Sequence, residues 1–284
     1  MKHRFDVRVG PVSFRVGSRW REPVDQLRTL YAGYPQGEPA DFTVRLDAPN
    51  PMRQWLRPSV AIAGDYMLPD VAPLPLAHAL LAAEMAMNLQ LALGHRRHLL
   101  LHASAVERDG RALVMTGDSG AGKSTLATML ASRGWRFMGD EFVMIDPTTG
   151  HAFAMPRLVS LKNEAIGEAA RRWPAARFGP QMVGTPKGTI RHLVPDAAAV
   201  AAMDRAAVPA LLLFPRFGHA RGVTPVAPGE AFVRLTQASA NYTALGEPGF
   251  ETLVRLATSI PRVAIDYPDT DAALALVDEL WGAL

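Results

Sequence analysis

Apolar and polar residues alternate over Phe5-Asp6-Val7-Arg8-Val9 and again over Val12-Ser13-Phe14-Arg15-Val16. A period of two predicts half-buried strands, and Gly10-Pro11 between them predicts a turn. Glu22 to Tyr34 has a helical period and stops before Pro35-Gln36-Gly37. Phe42-Thr43-Val44-Arg45-Leu46 alternates once more, whereas Pro49, Pro51 and Pro58 mark irregular chain. Residues 1–70 are therefore expected to form a small N-terminal α+β lobe. It carries no catalytic constellation and suits packing or partner recognition.

From residue 71 to 284 the pattern changes to longer apolar runs separated by helical periods. Leu74 to Gly94 predicts a long helix with Leu76, Leu80, Ala83, Met87 and Leu91 near one stripe. His78, Glu84, Asn88 and Gln90 interrupt it too often for a membrane span. Leu99 to Val106 reads as one strand. Arg108-Asp109-Gly110-Arg111 follows, a hairpin signal before the apolar run Ala112-Leu113-Val114-Met115. Ser124 to Arg133 reads as a helix, with Gly134 as its stop. Trp135 to Met138 and Phe142 to Ile145 flank Gly139-Asp140-Glu141. Residues 147–200 are less periodic and read as loops around a short helix, Glu164 to Trp173. Strands are expected at Ala210–Phe214 and Arg262–Ile265. Helices are expected at Glu230–Ser239, Phe250–Ser259 and, capped by Thr270, Asp271–Leu284. The expected class is α/β.

Composition narrows the function classes. The 284 residues are 49% hydrophobic, enough for a substantial core. The formal charge of +3 and a sequence pI near 9.4 give no clustered basic stripe and no helix-turn-helix, so nucleic acid is not the expected partner. There is no cysteine, which removes disulfides, thiolate metal sites and a cysteine nucleophile. The polar start Met1-Lys2-His3-Arg4-Phe5-Asp6 lacks a signal-peptide core, so a cytoplasmic, membrane-free protein is expected.

The chemistry concentrates in Gly117-Asp118-Ser119-Gly120-Ala121-Gly122-Lys123-Ser124, followed by Thr125. This fits the phosphate-binding loop G-x-x-x-x-G-K-[ST] at every fixed position, between a predicted strand and a predicted helix. Glycines let consecutive N–H groups converge on an anion, and the helix N-terminus adds its positive dipole end. Lys123 would reach the β- and γ-phosphates of a nucleotide, and the Ser124 hydroxyl would bind Mg²⁺. Beyond the next apolar segment, Asp140-Glu141 offers two carboxylates where such a metal is completed. One acid can hold Mg²⁺ while the other takes a proton from an attacking hydroxyl. His102, on a strand expected beside the P-loop strand, is a further candidate, although a lone histidine in an apolar strand is more often a core residue. Ser104 is expected on the same strand face as His102.

Leu101-His102-Ala103-Ser104-Ala105-Val106, the P-loop, and Gly139-Asp140-Glu141-Phe142-Val143 together resemble the catalytic core of bacterial HPr kinase/phosphorylase. More narrowly, they resemble the HPr-kinase-related serine kinases. The resemblance is sharp over residues 99–146. It implies a P-loop core of mixed sheet and helices like that of phosphoenolpyruvate carboxykinase. It also implies ATP and Mg²⁺ as cofactors and a protein or peptide acceptor, and it leaves room for a homo-oligomer, since relatives form rings. By the same resemblance Asp140 is the base, Glu141 helps hold Mg²⁺, and His102 lies near the phosphates. Glu141 stands where the family usually has Asp. The downstream signature E-[IV]-R-G-x-G is absent, with Met155-Pro156-Arg157-Leu158 and Ser160-Leu161-Lys162-Asn163 in that region. The N-terminal lobe also departs from the regulatory domain of HPr kinases, which argues against HPr itself as acceptor.

Four cations are candidate phosphate or substrate contacts: Arg157, Lys187, Arg191 and Arg216, with Lys162 beside them. Thr185-Pro186-Lys187-Gly188-Thr189-Ile190-Arg191-His192 is expected as a mobile basic loop able to close on the γ-phosphate. The reaction expected is transfer of the γ-phosphate of ATP to a serine or threonine of a protein or peptide. A small-molecule kinase and a nucleotide-dependent switch without transfer are the alternatives.

Overall fold

The computed structural model describes residues 1–36, 39–68 and 71–284. Gly37, within the expected stop of the first helix, and the expected lobe boundary at residue 70 fall outside the described residues.

The N-terminal sheet runs His3–Val9, Val12–Ser18, Phe42–Asp47, Ser59–Gly64 and Leu74–Pro75 in that order. Val12–Ser18 pairs parallel with Phe42–Asp47, and a parallel pair needs a crossover. The helix Arg21–Leu30 supplies it. This helix ends four residues earlier than its period suggests. Ser59–Gly64 and the 3-10 turn Pro51–Gln54 occupy chain expected to be irregular. Phe5, Val7, Phe14, Val16, Leu27, Val44 and Leu46 pack with Leu80, Ala83 and Met87 of the helix Ala79–Gly94. That helix starts five residues later than its period predicts. Leu74 is drawn into a strand with Val60, and Leu76–His78 form a 3-10 turn. With the 3-10 turn it is the one helix among the described residues long and apolar enough to cross a bilayer, and 61% of that window is buried inside the protein.

A six-stranded sheet forms the second layer system. Its order is Gly222–Pro225, Arg262–Tyr267, Val208–Phe217, Arg111–Thr116, Ala103–Arg108, Arg136–Gly139. The P-loop strand Arg111–Thr116 lies parallel to Val208–Phe217 and antiparallel to Ala103–Arg108. Asp109 and Gly110 both have positive φ, 56° and 76°, as the two-residue hairpin predicted from Asp-Gly requires. The strands alternate cleanly. Leu113, Met115, Leu211 and Leu213 face the helices Lys123–Ser132 and Thr270–Gly282. Ala112, Val114, Leu212 and Phe214 face Pro228–Ala238 and Glu247–Ser259. Helices on both faces of a mainly parallel centre make this an α/β protein. The last helix is capped by the Asp269 side chain on the Ala272 N–H at 2.9 Å, not by Thr270.

Two departures from the periodic reading bear on the site. The run Leu99–Val106 is broken at His102. Leu99–Leu101 pairs with Val143–Ile145 in a separate small sheet, and Ala103 then pairs with Thr116 in the large one. Residues 147–200 hold a three-stranded antiparallel sheet, Val159–Lys162, Gly188–Val194 and Arg177–Thr185, not loops. Register shifts between Phe178 and Gln181 and between Met182 and Thr185 erase the period of two there.

Candidate active site

The P-loop caps the C-terminal end of the Arg111–Thr116 strand and opens the helix Lys123–Ser132. Gly117, Asp118, Ser119 and Gly120 are exposed; Ala121, Gly122, Ser124 and Thr125 are half-buried. Gly122 is the helix N-cap with φ 95°, and a Cβ there would lie 2.3 Å from the Tyr267 Oη. Both the backbone angle and the space therefore demand glycine. Tyr267 donates to the Ala121 carbonyl at 3.1 Å, so the neighbouring strand Arg262–Tyr267 braces the loop. The Lys123 ammonium folds back onto the Gly117 and Asp118 carbonyls at 2.6 and 3.0 Å. Burial holds its pKa below the ordinary lysine value, Asp140 and Glu141 oppose that shift, and the Lys162 charge adds to it.

Asp140 lies where the strand Arg136–Gly139 ends, beside the P-loop helix. It is 7% exposed. Its Oδ1 accepts from the Ser104 hydroxyl and, at 3.0 Å, from the Ser124 hydroxyl. Its Oδ2 is fully buried with no hydrogen-bond partner. Burial, reinforced by Glu141, pushes the carboxyl above its usual range. The Ser104 and Ser124 hydroxyls and the Glu141 N–H counter that. A buried oxygen without a partner is costly unless a ligand meets it, and a carboxylate–hydroxyl pair is the hard-oxygen chemistry of Mg²⁺. Ser124 and Asp140 thus fit the metal expected for a P-loop. No cluster of three or more His, Asp or Glu that could hold a metal occurs among the described residues.

Glu141 sits differently. Its backbone has φ 71°, a left-handed conformation rare outside glycine, asparagine and aspartate. Its side chain is 33% exposed, and His102 Nδ1 lies 3.0 Å from its carbonyl oxygen and 3.6 Å from Oε2. His102 is not a core residue: its side chain is 47% exposed because the strand break turns it out. The break is held by the His102 N–H on the Ala238 carbonyl at 2.7 Å and by Thr116 on the His102 carbonyl at 3.1 Å. Ser104, expected to share the His102 face, is instead fully buried, and both reach the acidic pair.

Several expected phosphate contacts are engaged elsewhere. Arg157 is 4% exposed and pairs with Glu84 at 2.5 Å, with further bonds to Asn88 and the Glu84 carbonyl. It ties the long helix to the core, and a guanidinium so enclosed is no surface clamp. Arg216 forms a two-pronged pair with Asp266 at 2.6 and 2.7 Å. Arg191 donates to the Gly179 carbonyl at 2.9 Å and lies 4.7 Å over the Phe178 ring. Lys187 is exposed in the tight turn joining two paired strands, Thr185 opposite Gly188, in place of the mobile loop expected. Asn163 pins that turn, accepting from the Thr189 N–H at 3.0 Å. The Tyr267 brace, the Ser104 bond to Asp140 and the nearness of Lys162 to Lys123 each depend on contacts between segments far apart in sequence and leave no local signal. A cavity of about 460 Å³ lined by Tyr34, Trp173, Val194 and Met203 includes none of these residues.

No protein family and no curated protein matches the chain. Among solved structures, the HPr(Ser) kinase/phosphatase from Coxiella burnetii is similar at 12% identity, over 65% of this chain and 95% of that one, with a TM-score of 0.28. That is a distant relation of fold at most.

Proposed function

We propose that this protein is a Mg²⁺-ATP-dependent kinase that phosphorylates a serine or threonine hydroxyl of a protein or peptide. The observation that carries the reading is Asp140, with one oxygen on the P-loop Ser124 and the other buried and partnerless. The main-chain amides from Gly117 to Thr125 and the Lys123 ammonium would hold the phosphates. Ser124 and Asp140 would hold Mg²⁺, which when bound neutralises charge on the β- and γ-phosphates. This reading exchanges the two acids relative to the family resemblance. Asp140 is enclosed, whereas Glu141 is open to an incoming group and steered by His102. Glu141 would accept the proton of the acceptor hydroxyl as its oxygen bonds to the γ-phosphorus and the bond to the β-γ bridging oxygen breaks, releasing ADP. Lys162 would add positive charge beside Lys123.

The test is calorimetry with Mg²⁺-ATP and Mg²⁺-GTP on wild-type protein and Lys123→Ala, followed by transfer of labelled γ-phosphate to proteins and peptides encoded beside the gene. Binding lost in Lys123→Ala and label on an acceptor hydroxyl are expected. No nucleotide uptake by folded wild-type protein ends the proposal; slow hydrolysis with no labelled acceptor favours a switch.

A further inference from the structure

Ser104 belongs to neither the P-loop nor the acidic pair, yet its hydroxyl meets the same Asp140 oxygen as Ser124. Strand register puts it there. Ala105 lies opposite Gly139 in the antiparallel pair, so one step further along both chains Ser104 comes beside Asp140. Ser104 is fully buried, so its hydroxyl is shielded from bulk solvent.

A carboxylate turns about its Cβ–Cγ bond and can exchange its two oxygens. Two donors on Oδ1 oppose that turn and leave Oδ2 as the free oxygen. Ser124 has a second duty, because its oxygen would also ligate the cation. Ser104 lies outside the phosphate loop, and the hydrogen bond its hydroxyl makes is the one it donates to Asp140 Oδ1. We propose that Ser104 is a positioning residue, whose hydroxyl pins Asp140 Oδ1 so that Oδ2 faces the divalent cation held with Ser124. This rests on the nucleotide–Mg²⁺ site proposed above. Ser104 sets the direction of a ligand and takes no part in the transfer.

The test uses full-length protein and Mn²⁺ as the probe, titrated by electron paramagnetic resonance with a non-hydrolysable ATP analogue present. Binding of a fluorescent ADP in EDTA measures the nucleotide site without metal. Ser104→Ala is expected to weaken Mn²⁺ about tenfold or more, the scale of one hydrogen bond to a charged group. Metal-free nucleotide affinity should stay within about twofold, because the P-loop amides and Lys123 are untouched. Ser104→Thr, which keeps the hydroxyl, should restore Mn²⁺ affinity. Ser104→Cys, similar in size with a weak donor, should fall between and serves if the alanine variant folds poorly. Mn²⁺ affinity unchanged in Ser104→Ala, or as weak in Ser104→Thr as in Ser104→Ala, overturns the assignment. So does a lowered melting point with unchanged Mn²⁺ affinity, which would make the bond purely structural. If the wild type takes up no Mn²⁺–nucleotide, the kinase reading itself fails. If the wild type binds and Ser104→Ala binds equally, only the Ser104 assignment fails.

Discussion

Glu84→Gln tests whether Arg157 holds the fold or a phosphate. Glu84 and Arg157 have side-chain exposures of only 7% and 5% and approach to 2.5 Å. Tyr31 also donates to the Glu84 carboxylate, at 2.8 Å. The three groups join the N-terminal lobe, the long helix and the segment after Met155. The amide substitution keeps the shape and removes the negative charge, leaving a guanidinium that is enclosed and uncompensated. Breaking a buried pair from one side costs about 3–5 kcal/mol. At about 2–4 °C per kcal/mol for a chain of this size, the melting temperature should fall by roughly 6–20 °C. Urea unfolding followed by tryptophan fluorescence, with thermal melts beside it, measures the loss. Adding Arg157→Met removes the stranded charge, so the double variant should recover much of the stability. A loss below about 1 kcal/mol, or a double variant less stable than both singles, refutes the structural role. Nucleotide affinity that collapses in folded Arg157→Met would return Arg157 to the phosphates.

Gly122→Ala should abolish Mg²⁺-ATP binding while the protein still folds, because the new methyl would meet Tyr267 at a φ that alanine resists; calorimetry beside a circular dichroism melt checks both halves. Asp140→Asn should keep metal-free nucleotide binding and lose the metal-dependent increment, whereas Glu141→Gln should keep both and stop transfer; the reverse pattern restores the division of roles implied by the family resemblance. Acidification should destabilise the fold through His95, whose pKa is lowered to about 4 by burial, then by His98, Arg97 and Arg96. Its unfolded value is higher, so its contribution is intact above about 6.5 and drains away as pH falls towards 4, by on the order of 3 kcal/mol. Urea midpoints against pH should show that slope, and His95→Phe should flatten it.

Local chemistry made much of the site legible. The P-loop is contiguous, so one stretch of sequence carries its amides, its ammonium and its hydroxyl. The Asp-Gly hairpin announced the antiparallel neighbour of the P-loop strand, and His102 with it. Contacts that join distant segments leave no such local trace. Arg157 looked like a free cation because Glu84 is far away in sequence. The sheet of residues 159–194 was hidden because its register shifts break the alternation on which strand reading depends.

The α/β pattern, the phosphate-loop motif and the acidic pair are each written in neighbouring residues, by backbone geometry and side-chain type. Which acid meets Ser124, why His102 stands exposed at a strand break, and the bond from Ser104 to Asp140 come from packing alone. Those facts depend on strand register and on one residue stepping between two sheets. Both are properties of packed surfaces, set when the core closes and not by any local preference of the chain.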